Sequence, residues 1–132
     1  ECAELPENKP RYLMGVGSTK EIIESVKLGI DLFDCVLPSR NGRTGQLFTS
    51  EGRLRILARE FRDDNRPPQE GCTCHLCANF SRAYLRHLFM SGDILGPVLA
   101  TIHNIHFLEQ FMRRIRNAIS ESRLQDLHLS LA

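Results

Sequence analysis

The sequence predicts an α/β fold, from two apolar runs that flank a helical pattern and from one long amphipathic segment further on. The runs at residues 12–16 and 32–37 have the composition of buried strands, and apolar residues recur between them at helical spacing. A strand, a helix and a strand in this order form a parallel pair with a right-handed crossover. The 132 residues suffice for one modest domain with its own core.

The helix between the two strands has both of its ends marked in the sequence. Ser18 and Thr19 can cap its start, with Glu21 in the first turn, and Gly29 can end it. Its apolar residues are Ile22, Ile23, Val26 and Ile30. The second strand closes at Pro38, so we expect residues 39–45, which are polar and carry two glycines, to form a loop.

The remaining elements follow from turn signals and periodicity. Residues 46–49 and 53–57 predict a hairpin, residues 63–71 a proline-bearing linker, and residues 81–90 an amphipathic helix that stops at Gly92. Residues 93–120 predict one long helix or two abutting helices, with Pro97 in the first turn, where a missing N–H is tolerated. Beyond Ser122 we expect a fraying or partner-dependent tail. The apolar stripe expected to face the core is Leu99, Ile102, Ile105, Leu108, Phe111, Met112 and Ile115.

Three cysteines in a C-x-C-x-x-C run, Cys72, Cys74 and Cys77, indicate a zinc site. Disulfides and free thiols are the alternatives. Against disulfides, the chain has five cysteines and no signal-like apolar run, and thiols this close in one loop pair poorly. Spacing leaves the fourth ligand open among His75, His87, His103 and His106. A closed Cys3His set would be structural, because it keeps no position for water. Cys2 and Cys35 stand apart, and we expect them to be ordinary small apolar residues.

Charge gives a local signal rather than a global one. The net charge of +1 makes no case for nucleic acid, but residues 40–66 hold seven arginines and no lysine against four acids. Arginine suits bidentate contact with phosphate. A solvated charged face fits the same pattern. With no membrane-length apolar run, we expect a cytoplasmic protein without membrane association.

Asp34 is the candidate for chemistry, because it interrupts an otherwise apolar predicted strand. In parallel sheets the loops after the carboxyl ends of the strands build the ligand site. Met14 and Gly15 end the first strand, and Asp34, Arg40 and Arg43 lie at or after the end of the second. A carboxylate in that place can be a nucleophile or a general base. The alternative is a buried aspartate satisfied by backbone N–H groups or by Arg40.

Several of these runs together resemble the tRNA-guanine transglycosylases, and their sequences resemble those of the bacterial queuine-type enzymes. They are YLMGVG at residues 12–17, FDCVLPSRNGRTG at 33–45, the cysteine loop at 72–77, SRAYL at 81–85 and L-x-T-x-H-N at 99–104. The resemblance covers residues 11–120 in order and with the spacings of the family. Ser39 is a small departure, since many relatives have threonine there.

The resemblance implies a fold of which this chain is only the last part. The family has a (β/α)8 TIM barrel with a zinc-binding subdomain, and such barrels typically need about 250 residues. Residues 1–66 would then be the last βα units of the barrel with the arginine-rich hairpin. Residues 67–132 would be the zinc-binding subdomain and C-terminal helices. The chain opens with Glu1 and Cys2 and no initiator methionine, which fits a piece of a longer protein.

The resemblance also implies an activity, namely exchange of guanine at the wobble position of G-U-N anticodons for 7-aminomethyl-7-deazaguanine in queuosine biosynthesis. It implies a homodimer and, as partners, the tRNA anticodon loop and the small deazaguanine. Asp34 would attack the ribose C1′ and form a covalent intermediate. The resemblance assigns base contact to Met14 and Gly15, anticodon-loop contact to Arg40 and Arg43, and structural Zn²⁺ to Cys72, Cys74, Cys77 and His103.

Two other classes of function stay open at this point. The chain could be a non-catalytic, zinc-stabilised tRNA-binding module in which Asp34 is only structural, or a dimerisation piece that uses the apolar helix stripe. The resemblance implies that the residues that read the guanine edge and the general acid/base lie upstream of these 132 residues. We therefore expect the isolated chain to bind zinc, to be inactive alone, and to self-associate through open strand edges.

Overall fold

The computed structural model describes residues 4–127 and has mixed α/β architecture. The strands are β1 (Tyr12–Leu13), β2 (Leu32–Phe33), β3 (Gln46–Thr49) and β4 (Gly52–Arg55). The helices are α1 (Thr19–Lys27), α2 (Leu37–Arg43), α3 (His75–Asn79), α4 (Arg82–Ser91) and α5 (Leu95–Ser120). Short 3₁₀ turns lie at Arg59–Phe61 and Leu124–Asp126.

The predicted strand, helix and strand form the first unit. β1 and β2 pair in parallel, with Tyr12 opposite Leu32, and Ser18 caps α1 by accepting from the Glu21 amide. The predicted extents, residues 12–16 and 32–37, are wrong, since each strand has two residues. The expected burial is wrong too, because Tyr12 is 52% and Leu32 54% exposed. Within residues 4–127 no third strand joins this pair, and Phe33 of β2 packs against the core that contains Ile22 and Ile23 of α1.

Helix α2 replaces the loop predicted for residues 39–45. Pro38 stands in its first turn, where a fixed φ favours a helix and the missing N–H costs nothing. The local sequence is a weak helix former, so packing decides the conformation. Asn41 and Gly42 are buried in α2, and Gly42 lies directly against Thr101 of α5. The sequence pattern could not show this long-range contact.

The predicted hairpin is confirmed, with β3 antiparallel to β4 and Leu47 opposite Leu54. β4 covers residues 52–55 rather than 53–57. Leu47 and Phe48 are neighbours whose side chains point to opposite faces of β3, as strand geometry requires. Each is buried in a different hydrophobic cluster, so the hairpin lies between two cores.

Helix α5 is one continuous helix of 26 residues, with Pro97 in its first turn as predicted, and both cores pack along it. The predicted apolar stripe is partly wrong, because Ile102 is 39% and Ile105 54% exposed. The buried face is turned so that His103 and Asn104 point inward. One core contains Leu47, Ile56, Leu76, Leu85, Leu88 and Leu99, and the other Ile22, Ile23, Phe48, Phe107, Phe111 and Ile115.

The linker before the cysteine loop is fixed by three charged residues, Asp64, Arg66 and Arg82. The Asp64 carboxylate, with 9% of its side chain exposed, accepts from Arg66 at 2.8 Å and from Arg82 at 3.2 Å. Arg82 also donates to the carbonyls of Pro67 and Pro68 at 3.0 and 3.1 Å. Arg66 holds the pKa of Asp64 well below its usual range, so the carboxylate is ionised. The start of α4 is thereby tied to the linker.

The chain after α5 folds back on the second core. Leu124 and Leu127 pack against it, so the prediction of a fraying tail is wrong for residues 123–127. Residues 128–132 and Cys2, to which sequence expectations also apply, lie outside the described residues. Among the helices of residues 4–127, none combines the length and the hydropathy needed to span a bilayer.

Candidate functional site

Four side chains from three parts of the chain form a compact donor cluster. Cys72 and Cys74 precede α3, Cys77 is in α3, and His103 comes from α5. The Nδ1 atom of His103 lies 3.9, 3.3 and 3.4 Å from the three Sγ atoms in that order. All four donor atoms lie within 4.8 Å of one another. A tetrahedral zinc with Zn–S near 2.3 Å and Zn–N near 2.0 Å would separate its ligand atoms by roughly 3.5–3.8 Å.

The hydrogen bond on the far side of His103 sets its tautomer. Nε2 lies 2.7 Å from the carbonyl oxygen of Phe48, which can only accept, so Nε2 carries a proton, and in the neutral imidazole that binds a metal Nδ1 faces the sulfurs with its lone pair. Burial lowers the pKa of His103, while the Cys72 and Cys74 thiols and the Phe48 carbonyl raise it, with a net rise to about 9. The imidazole is thus oriented as a metal ligand.

The interaction between Cys74 and Cys77 shifts the pKa values of the two thiols in opposite directions. A hydrogen bond from Cys77 lowers the pKa of Cys74, and the same interaction raises the pKa of Cys77. The backbone amide of Cys77 also donates to the sulfur of Cys74 at 3.4 Å, which favours the thiolate form of Cys74. A divalent cation would neutralise the thiolates that burial otherwise disfavours. The donor set therefore fits a zinc ion and leaves no open coordination position.

The structure separates His103 from the other candidate histidines. His75 lies inside the cysteine loop, but it is exposed and faces Asn79 and the ring of Phe80. His87 is exposed on α4, and His106 is outside the cluster. Cys35 also lies apart from the cluster and packs against Gly17.

A second arrangement surrounds Asp34, directly after β2. The Tyr12 hydroxyl donates to Asp34 Oδ1 at 2.5 Å and the Gly15 amide donates to the same oxygen at 3.1 Å. Neither donor engages Oδ2. These two hydrogen bonds, that of Tyr12 foremost, lower the pKa of Asp34 from its ordinary value. The alternative interpretation is a buried aspartate satisfied by backbone N–H groups or by Arg40. The burial and the Arg40 pairing are wrong, because Asp34 is exposed and its partners within residues 4–127 are Tyr12 and Gly15, but the Gly15 amide is a backbone N–H of the expected kind.

The strand register explains why Tyr12 reaches Asp34. Tyr12 is opposite Leu32, and Asp34 follows Leu32 by two residues, so both side chains lie on the same face of the pair. Sequence analysis missed Tyr12 as a partner. The signal was available, because a parallel pairing of the two runs with this register places the phenol and the carboxylate diagonally on one face.

Comparison with known proteins decides the family. The family model described as "Queuine tRNA-ribosyltransferase" matches residues 1–131. The chain belongs to this family. The resemblance seen in the sequence is thereby confirmed.

Curated queuine tRNA-ribosyltransferases resemble the chain over most of its length. That of Thioalkalivibrio sulfidiphilus is 52% identical over 122 residues, which cover 92% of this chain and 33% of the relative. Those of a Thermoanaerobacter species and of Aquifex aeolicus are 55% and 50% identical, over 91% and 96% of this chain and 32% and 33% of the relatives. The chain therefore spans about a third of the length of these relatives.

The other predicted site residues of this queuine tRNA-ribosyltransferase family member lie at the surface. Met14 is 75% exposed, and a Cβ on Gly15, whose φ is +75°, would meet nothing within 4 Å. The Gly15 amide donates to the Asp34 carboxylate, so the turn that contains Met14 and Gly15 lies next to this carboxylate. Arg40 and Arg43 are exposed in the last turn of α2, with free guanidinium groups directed to solvent among the described residues.

The role of Asn104 was missed from the sequence, although this residue lies in one of the runs that resemble the family. Asn104 is fully buried, accepts from the Phe48 amide at 2.9 Å, and donates to the carbonyls of Pro38 and Gln46 at 3.1 and 2.9 Å. Its position next to a metal-ligand candidate on an apolar helix was the available signal. Asn104 connects the metal-bearing helix to the start of α2, four residues after Asp34.

Proposed function

We propose that the protein containing this chain is a tRNA-guanine transglycosylase. It would exchange guanine at the wobble position of G-U-N tRNAs for 7-aminomethyl-7-deazaguanine, in queuosine biosynthesis. The observation that carries the proposal is the exposed carboxylate of Asp34 at the carboxyl end of a parallel strand, held ionised by Tyr12 and Gly15. Membership of the queuine tRNA-ribosyltransferase family supports the same substrate.

Asp34 would act as a nucleophile in a double displacement. Oδ2 forms a bond to the ribose C1′ while the C1′–N9 bond breaks, and its electron pair leaves with guanine, which takes a proton from an acid outside this chain. The N9 atom of the incoming base then attacks C1′, loses its proton, and releases the carboxylate. Retaining glycosidases use the same logic, with a carboxylate that captures an oxocarbenium-like centre.

The surface residues around Asp34 would bind the substrates. Met14 offers an exposed apolar face for the base, and Gly15 leaves space beside the carboxylate. Arg40 and Arg43 on α2 would contact the anticodon-loop nucleotides next to the target, with guanidinium groups suited to phosphate. Reaction at C1′ requires the target base to be turned out of its stack, and such contacts to the flanking nucleotides hold it there.

The metal centre would have a structural role. When bound, zinc would cross-link the cysteine loop to α5 through Cys72, Cys74, Cys77 and His103. The neighbour Asn104 anchors the start of α2 and so supports the segment that follows Asp34. No step of the exchange needs an ion at this closed site.

The wider architecture belongs to the same proposal. Residues 1–66 would be the last βα units of a TIM barrel, and residues 67–132 the zinc-binding subdomain and C-terminal helices. The half-exposed Tyr12 and Leu32 fit strands that continue a larger sheet. The isolated chain would be inactive, because it lacks the residues that read guanine, and the full-length enzyme would work as a cytoplasmic homodimer.

The proposal is tested by guanine exchange in the full-length protein. With labelled guanine and a G-U-N tRNA, the wild type should exchange the base, and Asp34→Asn should lose the activity at unchanged tRNA affinity. Asp31→Asn is the matched control, because within residues 4–127 that carboxylate accepts a hydrogen bond only from the Arg11 amide. Equal exchange in wild type and Asp34→Asn would move the nucleophile elsewhere. Tightly bound tRNA without exchange in either protein would favour the non-catalytic tRNA-binding module.

A further inference from the structure

The Tyr12 phenol is the one side chain in residues 4–127 that donates a hydrogen bond to the Asp34 carboxylate. We propose that Tyr12 is a positioning residue, which together with the Gly15 amide holds Oδ1 of Asp34 so that Oδ2 is aimed at the ribose. This inference rests on the proposed function, since it assigns a role within that reaction. Tyr12 itself would stay protonated and would form no bond to substrate.

The geometry supports positioning rather than packing. Tyr12 is 52% exposed, so its ring is not buried for core stability, yet its hydroxyl lies 2.5 Å from Oδ1, the distance of a charge-assisted hydrogen bond. The Gly15 amide approaches the same oxygen from the turn after β1. Both donors bind Oδ1, so among the described residues Oδ2 is the carboxylate oxygen that accepts no hydrogen bond.

The left-handed backbone of Gly15 makes the second donor available. Its φ of +75° is a conformation that residues with a side chain rarely adopt, and Gly15 lies in the turn after β1, two residues beyond Leu13. Tyr12 and Gly15 therefore belong to one short segment, and both of them donate a hydrogen bond to the same oxygen of Asp34, Oδ1. The first strand contributes the support, and the second contributes the nucleophile.

The charges agree with this arrangement. Among the described residues Tyr12 is the only titratable group in contact with the Asp34 carboxylate, and its hydrogen bond lowers the pKa of Asp34. The same bond raises the pKa of Tyr12, so the phenol remains a donor throughout the working pH range. The hydrogen bond stabilises the carboxylate before it attacks, and this stabilisation alone does not speed the reaction. The gain in rate therefore comes from the orientation of Oδ2.

The test compares Tyr12→Phe with wild type in the full-length protein. We expect kcat/KM for guanine exchange to fall by about 10- to 100-fold, the cost of a poorly oriented reacting group, at unchanged tRNA affinity and melting temperature. Asp34 is ionised above its lowered pKa. Loss of the phenol raises that pKa, so the acidic limb of the kcat/KM profile should move to higher pH. A role limited to joining the strands would leave this limb in place.

Tyr84→Phe is the matched control. It removes the other phenol of the chain. Tyr84 lies in α4, where its ring stacks on that of Phe80, and it is remote from β1 in sequence. Exchange and its pH profile should equal those of wild type. Unchanged kcat/KM and an unchanged acidic limb in Tyr12→Phe would overturn the inference.

A titration separates this inference from the proposed function. The pKa of Asp34, followed through the ¹³C chemical shift of its carboxyl carbon in the full-length protein, should be higher in Tyr12→Phe than in wild type. If wild type performs no exchange, the proposed function fails whatever the titration shows. If the pKa of Asp34 is the same in both proteins, the positioning role fails even where wild type is active.

Discussion

At the scale of single residues, the backbone of Phe48 is held from both sides by two neighbours on α5. Its carbonyl accepts from His103 Nε2, and its amide donates to Asn104 Oδ1. Both side chains are fully buried, where an unpaired polar group is costly. The pair therefore fixes β3 against α5 and at the same time directs the imidazole to the cysteines.

Replacing Asn104 should be destabilising beyond its size. Asn104→Ala leaves the Phe48 amide and the carbonyls of Pro38 and Gln46 without their partner. We expect the free energy of unfolding to fall by about 1–3 kcal/mol, measured by urea denaturation. Asn117→Ala, an exposed position on the same helix, should stay within about 0.5 kcal/mol. Similar losses of stability in both variants would contradict this role of Asn104.

At the scale of elements, the helix that follows β2 depends on its contact with α5. A Cβ on Gly42 would lie 2.5 Å from Thr101 Oγ1 and 2.9 Å from the Thr101 backbone N and Cα atoms. Backbone atoms cannot rotate away as a side chain can. The approach of the two helices therefore requires glycine at this position, and it carries Arg40 and Arg43 into place.

Gly42→Ala should consequently separate α2 from α5. We expect a loss of about 1–3 kcal/mol in the free energy of unfolding, as for overpacked cores, although alanine is the better helix former. Ser39→Ala in the same helix adds no such contact and serves as the control. In the full-length protein, tRNA affinity should also decrease, because both arginines move with α2. If Gly42→Ala were more stable than wild type, α2 and α5 could move apart at Thr101 at little cost in free energy.

At the scale of the whole molecule, the metal centre connects parts of the chain that are distant in sequence. It joins the loop at residues 72–77 to α5, and the His103 contact extends the connection to β3. Both hydrophobic cores pack along α5, so a change at this helix reaches both.

Loss of a ligand should therefore affect metal content and stability together. We expect wild type to bind one zinc per chain, and His103→Ala to lose it and to be less stable by about 4 kcal/mol or more, as for a lost metal site. Metal analysis and thermal unfolding, with and without a strong chelator, measure both effects. His75→Ala keeps full zinc content, because that imidazole faces Asn79 and Phe80 rather than the sulfurs. Equal zinc content in both variants would exclude His103 as a ligand.

Local patterns in the sequence determined much of this protein. The cysteine spacing indicated the metal site, Ser18 and Gly92 marked helix ends that the structure confirms, and the hairpin followed from its turn. The family, too, was recognisable from short runs. These features depend on residues that are close in sequence, where capping, periodicity and ligand spacing act without the rest of the fold.

Tertiary structure decided what depends on residues far apart in the chain. The choice of His103 over three other histidines, the helix in place of a loop at residues 37–43, and the face that α5 buries all follow from packing across 26 or more residues. Tyr12 meets Asp34 only because two strands pair in one register, 22 residues apart. Such contacts leave no local period in a sequence, since the free energy that selects them arises only when distant segments are packed together.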